Sequence, residues 1–117
     1  MRLNGLVQKG WGTEEIWAST DLYCGKLMHF NEGAKFSMHF HSIKDETWYV
    51  LSGQFKVVTI NTTNASRIEH ILNVGDTWHN PPLLPHQLFC IKQGTIIETS
   101  TADSVEDNYR VEAGDSQ

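Results

Sequence analysis

The chain has 117 residues, 39% hydrophobic and 20% charged, with 12 aromatic residues of which four are Trp; that is enough apolar matter for one folded core and too much for disorder. A net charge of -5 with no Lys/Arg cluster excludes binding to a nucleic-acid backbone as the main task. No apolar stretch approaches the roughly 18 to 20 residues that span a bilayer, and residues 1–10 lack the charged-then-apolar order of a signal peptide, so a cytoplasmic protein without a membrane partner is expected.

Short runs in which apolar and polar residues alternate, closed by Gly, Asn, Asp or Pro, predict an all-β chain with residues 1–117 in one domain. Residues 10–20 carry Trp11, Ile16 and Trp17 beside Glu14 and Glu15, a pattern that suits either a covering strand or a single helical turn. Strands are predicted over 23–30, 36–41, 46–51, 54–59, 67–72, 76–79, 86–91 and 95–99. Tight turns are expected at Asn31-Glu32-Gly33, Ser52-Gly53 and Asn73-Val74-Gly75-Asp76, because Gly reaches positive φ freely and Asn or Asp tolerates it. The tail, 102–117, is acidic, with Tyr109 and Val111 as its substantial apolar anchors, and its last residues are expected to be loose. Cys24 and Cys90 are far apart and read as buried, reduced thiols. Most of the four Trp are expected in the core, with sugar stacking as their other use.

His39 and His41 lie two apart in a predicted strand, so their rings point to one face and Phe40 to the other. Glu46 follows at the start of the next strand, and His86 opens a later one after the rigid run Pro81-Pro82-Leu83-Leu84-Pro85. Three imidazoles and one carboxylate can converge on a single divalent ion at about 2.0 to 2.2 Å if a compact β fold brings the segments together. The ligand set suits Mn, Fe, Co, Ni or Zn and names none of them. His29, His70 and His79 have no such framework and are assigned to the surface or to orienting a ligand, His79 being the nearest to the site in sequence terms.

With Gly33, His39, His41, Glu46 and Gly53, and then Gly75, Pro81 and His86, the chain resembles the cupin superfamily. The spacing of the first motif, 33–53, matches throughout; in the second, 75–90, Leu83 and Cys90 stand where the family has Gly and Asn. The resemblance implies a small jelly-roll β-barrel and a homodimer. Lys9-Gly10-Trp11-Gly12, Lys26, Ser37-Met38-His39-Phe40-His41, Lys44 and Trp48 make the chain most similar to mannose-6-phosphate isomerase-type cupins. That family's tail carries Arg, one residue, Glu-Asp, one residue, Tyr-Gly-Arg. Here Arg110 and Glu112 fit its beginning, and the closing Tyr-Gly-Arg is absent.

A phosphosugar, as the small-molecule partner, would present vicinal oxygens to the roughly two positions that four protein ligands leave open on an octahedral ion. Isomerisation then needs a proton taken next to the polarised carbonyl and a clamp for the phosphate, roles for which Lys26 and Arg110 are the candidates. Tyr49, by strand alternation, falls on the face opposite Glu46. Two other readings use the same site: an Fe(II)-dependent dioxygenase, and a non-catalytic metal-containing sugar-binding module, which the missing Tyr-Gly-Arg favours.

Overall fold

The computed structural model describes residues 5–104 and 106–115. Nine strands and no helix are found among them: β1 (Leu6–Lys9), β2 (Gly12–Ser19), β3 (Tyr23–Phe30), β4 (Met38–Phe40), β5 (Glu46–Ile60), β6 (Arg67–Leu72), β7 (Thr77–Asn80), β8 (His86–Thr101) and β9 (Tyr109–Glu112). All pairings are antiparallel, in the order β1-β2-β3-β8-β4-β9, with β5 joined to β6, β7 and β8. The sheet curls on itself as a jelly roll, and β5 and β8 are long enough to take part in both of its layers.

The predicted tight turn at Ser52-Gly53, and the gap between the strands ending at Ile91 and beginning at Thr95, are replaced by two continuous strands. Gly53 does sit at positive φ, +81°, but it serves a bulge instead of a hairpin. Register against β8 shifts between Val50 and Phe55, and the inward parity of β5 switches there: Glu46, Trp48 and Val50 point in before it, Phe55, Val57 and Thr59 after it. An odd shift has to invert the facing of a strand, and the bulge does so without breaking it. The chains pass so closely here that a Cβ on Gly53 would lie 2.5 Å from the Lys92 carbonyl oxygen.

Residues 10–20 resolve as strand, the turn before β2 seating Trp11 in the core. Trp11 stacks on Phe30 (ring centroids 4.3 Å apart), Phe30 meets Phe55 edge-on, and Phe36 meets Trp48. Met28, Ala34, Val50, Val57, Leu72, Leu88, Cys90 and Ile96 complete the core. Trp17 departs from the core expectation: it is half exposed and lies over Gly25, where any Cβ would strike its ring. The acidic tail is ordered as far as it is described: β9 pairs with β4, Tyr109 stacks on Phe40, and Asp115 accepts from the Lys35 amide. The looseness expected of its last residues falls in part on 116–117, which lie outside the described residues.

Candidate metal centre

The ring nitrogens of His39, His41 and His86 converge, with the nearest donor atoms all within 4.8 Å of one another. The expected strand 36–41 is shortened to Met38–Phe40, so His39 lies in β4 and His41 just beyond its end, the two rings still on the same side; antiparallel pairing places His86 directly opposite His39. The His39 ring lies 4.7 Å from that of His86 and 5.0 Å from that of His41, centroid to centroid.

Each ring is oriented through its other nitrogen. His39 Nδ1 lies 2.7 Å from the Ser37 carbonyl oxygen, His41 Nδ1 2.6 Å from that of Asp107, and His86 Nδ1 2.9 Å from that of Leu84. A carbonyl only accepts, so each Nδ1 carries the proton and each Nε2 keeps its lone pair. Burial, with His86 and His41 as like neighbours, lowers the pKa of His39 to about 3; burial likewise lowers that of His86 to about 4. Both are therefore neutral at pH 7, the form that binds metal.

Glu46 lies outside the group of three convergent rings but touches it. Its Oε1 stands 2.9 Å from His86 Nε2, yet that nitrogen makes no aligned hydrogen bond. The contact is not an ion pair, because a neutral ring with its proton on Nδ1 has only a lone pair to offer the carboxylate. Two buried acceptors this close repel unless a cation or a proton lies between them. A divalent ion would remove that repulsion, so the three rings with the Glu46 carboxylate beside them fit a metal.

The rings of His39 and His41 border a pocket of about 650 Å³ that is also lined by Glu46, Trp11, Trp48 and a group of charged side chains. Lys26 is buried, bridging Glu14 at 3.1 Å and Asp103 at 2.8 Å. Lys44, also buried, bridges Glu98 and Asp103 at 3.1 Å and Glu46 at 3.4 Å. Burial opposes both positive charges, but the facing carboxylates outweigh it and raise both pKa values. Glu98, which accepts from Trp48 Nε1 and Lys44, is raised to about 7 by burial and by the adjacent Glu46. A carboxyl in that range can give or take a proton at neutral pH.

Arg110 reaches the same pocket from β9. Its register partner is His39, and directly opposed residues share a face. Among the described residues it has no ion-pair partner, in contrast to Lys26 and Lys44. Tyr49 points outward, as alternation required. His29 contacts Thr95 and Glu15, His70 packs on Trp78, and exposed His79 pairs with Asp45; none of them touches the cluster. Sequence reasoning missed Glu14, Glu98, Asp103 and Asp107. For Glu98 a signal existed, since it falls two residues after Ile96 on the inward face of a strand; for the two tail aspartates there was none.

The profile of the family described as Cupin domain matches residues 26–99. The chain belongs to the cupin family. As a cupin it superposes on oxalate decarboxylase from Bacillus subtilis with a TM-score of 0.77 at 17% identity, covering 91% of this chain and 29% of that one. The capsular polysaccharide assembling protein CapF from Staphylococcus aureus gives 0.78 at 16%, over 92% of this chain and 32% of that one. KdgF from Halomonas sp. gives 0.69 at 20%, over 91% and 86%. The chain thus spans about a third of the length of the first two proteins, and at these identities the likeness is one of fold. Among curated protein sequences none matches.

Proposed function

We propose that this cupin holds one divalent transition metal through His39, His41, His86 and Glu46 and takes a phosphosugar in the adjoining pocket, as a mannose-6-phosphate isomerase-like protein. The observation that carries the reading is the set of three imidazoles, each with Nδ1 bound to a backbone carbonyl and Nε2 turned toward a common point in the wall of that pocket. The metal, when bound, would act as a Lewis acid on the sugar carbonyl. Arg110, free of carboxylate partners among the described residues, is suited to the phosphate. Lys26 stays an ammonium between Glu14 and Asp103, so it serves as a hydrogen-bond donor to sugar hydroxyls. Glu98, facing the pocket beside Glu46, is the group placed to move a proton. A homodimer in the cytoplasm completes the proposal; the free, buried thiols of Cys24 and Cys90 suit a reducing compartment.

The test is a proton-NMR assay of the protein loaded separately with Mn, Fe(II), Co, Ni and Zn, supplied with mannose-6-phosphate or fructose-6-phosphate. Interconversion with one metal, lost in His86→Ala, is the expected result. Binding without turnover at full metal occupancy would leave a sugar-binding module. Neither binding nor turnover, with oxygen consumed by the Fe(II) form, would replace the isomerase by the dioxygenase reading. His86→Ala should lose its metal in either case, and full occupancy in that variant would remove the ligand assignment.

A further inference from the structure

The segment after β8 does more than cover the barrel. Asp107 uses its main chain and its side chain at two different points of the centre. Its carbonyl oxygen receives His41 Nδ1 at 2.6 Å. Its carboxylate receives four hydrogen bonds from the loop that joins His41 to Glu46: the Ser42 amide and hydroxyl, both at 2.7 Å on Oδ1, and the Ile43 and Lys44 amides at 3.1 and 2.9 Å on Oδ2. The side chain is buried, and although burial alone would raise its pKa, these donors hold the carboxyl well below the usual range.

We propose that Asp107 is a positioning residue for the metal centre, and that docking of the segment 107–112 and occupancy of the metal site are thermodynamically linked. This inference rests on the metal reading above. One residue fixes which nitrogen of His41 bears the proton and fixes the loop that sets the distance from His41 to Lys44 and Glu46. From Asp107 the chain continues into β9, where Tyr109 stacks on Phe40 and Arg110 stands opposite His39. Loosening of this segment would therefore release the tautomer of His41, the spacing to Glu46 and the placement of Arg110 together. Linkage is reciprocal: what metal gains from a docked segment, the segment gains from metal.

The experiment compares wild type, Asp107→Ala and Asp115→Ala, each as the full chain, with Zn²⁺ as the probe. Asp115 anchors the same tail at the Lys35 amide, away from the histidines, and serves as the control for general loosening. Asp107→Ala keeps the carbonyl that meets His41 but removes the carboxylate that holds residues 42–44 and the segment in place, and is expected to bind Zn²⁺ at least ~10-fold more weakly, the scale of loss found when the groups supporting a ligand are removed. In its metal-free form, ¹⁵N NMR should show His41 shifting from the Nδ1–H tautomer toward a mixture. Asp115→Ala should stay within about twofold of wild type in affinity and keep the tautomer. Should Asp107→Ala fail to fold, wild type alone decides: Zn²⁺ should slow hydrogen exchange at the amides of Ser42, Ile43 and Lys44 and across 109–112. Unchanged affinity and tautomer in Asp107→Ala, equal losses in both variants, or exchange at these amides indifferent to Zn²⁺ would overturn the inference. A wild type that binds no divalent metal would instead overturn the metal reading itself, and the linkage with it.

Discussion

A buried neutral histidine is a debt that acid exposes, and the metal-free protein should show it. Folded His39 and His86 refuse protons until about pH 3 and 4, whereas the unfolded chain accepts them near 6.5, so their contribution is present above pH 6.5 and is lost on acidification. Glu98 acts in the opposite sense. Raised to about 7 from 4.5, it contributes fully below pH 4.5 and loses that contribution as pH rises through 7. Between pH 6 and 5 the two histidines outnumber the one carboxyl, leaving a net uptake of about one proton on unfolding, or roughly 1 kcal/mol per pH unit. Urea unfolding in the presence of a chelator should therefore give a lower midpoint at pH 5 than at pH 6; a midpoint that rises on acidification would mean that Glu98 dominates. At the pocket rim the expectation is simpler. Arg110→Ala should weaken phosphosugar binding at least ~10-fold, the loss of a charge-assisted contact, while leaving metal content as in wild type; unchanged affinity would take Arg110 out of the site.

Single elements carry strain that the second motif makes visible. Leu83 stands where the family has Gly, and its φ is +72°, a conformation that costs a branched side chain about 1–2 kcal/mol. The backbone has no freedom to relax, because the Leu83 amide donates to the His41 carbonyl at 2.6 Å. With 60% of Leu83 exposed, little burial is lost on removing the side chain. Leu83→Gly should therefore raise stability by roughly 0.5 kcal/mol after the extra backbone entropy of Gly is deducted, read as a rise in Tm; a fall would show that the side chain packs more than its exposure indicates. The same element-level logic explains what could be read in advance. Alternation located strands β3 and β6 to the residue and placed Tyr49 outward and Glu46 inward, because a half-buried strand has no other way to satisfy its two faces. It failed at Gly53 because a positive-φ glycine is needed equally by a hairpin and by a bulge, and only the close passage of Gly94 on the neighbouring strand, invisible in sequence, decides between them. The three converging histidines were legible from spacing. Asp103 and Asp107 were not: they come from an acidic stretch with no periodicity, and their partners, Lys26, Lys44 and the amides of 42–44, are more than 55 residues away in the chain.

At the scale of the whole molecule, the proposed donors come from β4 and the residue just past it, the start of β5 and the start of β8, and the ring of His41 is tied to the tail. No two of these segments can leave the fold without breaking the centre, so metal binding should stabilise the entire cooperative unit and not merely a loop. A metal that binds only the folded state at 100 times its dissociation constant contributes about 2.7 kcal/mol. For a chain of this length that corresponds to a rise in Tm on the order of 10 °C. The shift should grow with the logarithm of free metal, and vanish in His86→Ala, whose ring is buried and whose loss leaves Glu46 with Lys44 and Asn80. A wild-type Tm indifferent to Mn, Fe(II), Co, Ni and Zn alike would mean that the three rings meet for packing. A shift of equal size in His86→Ala would put the metal elsewhere on an acidic surface, where loose binding to the unfolded chain competes and the logarithmic rise is flattened.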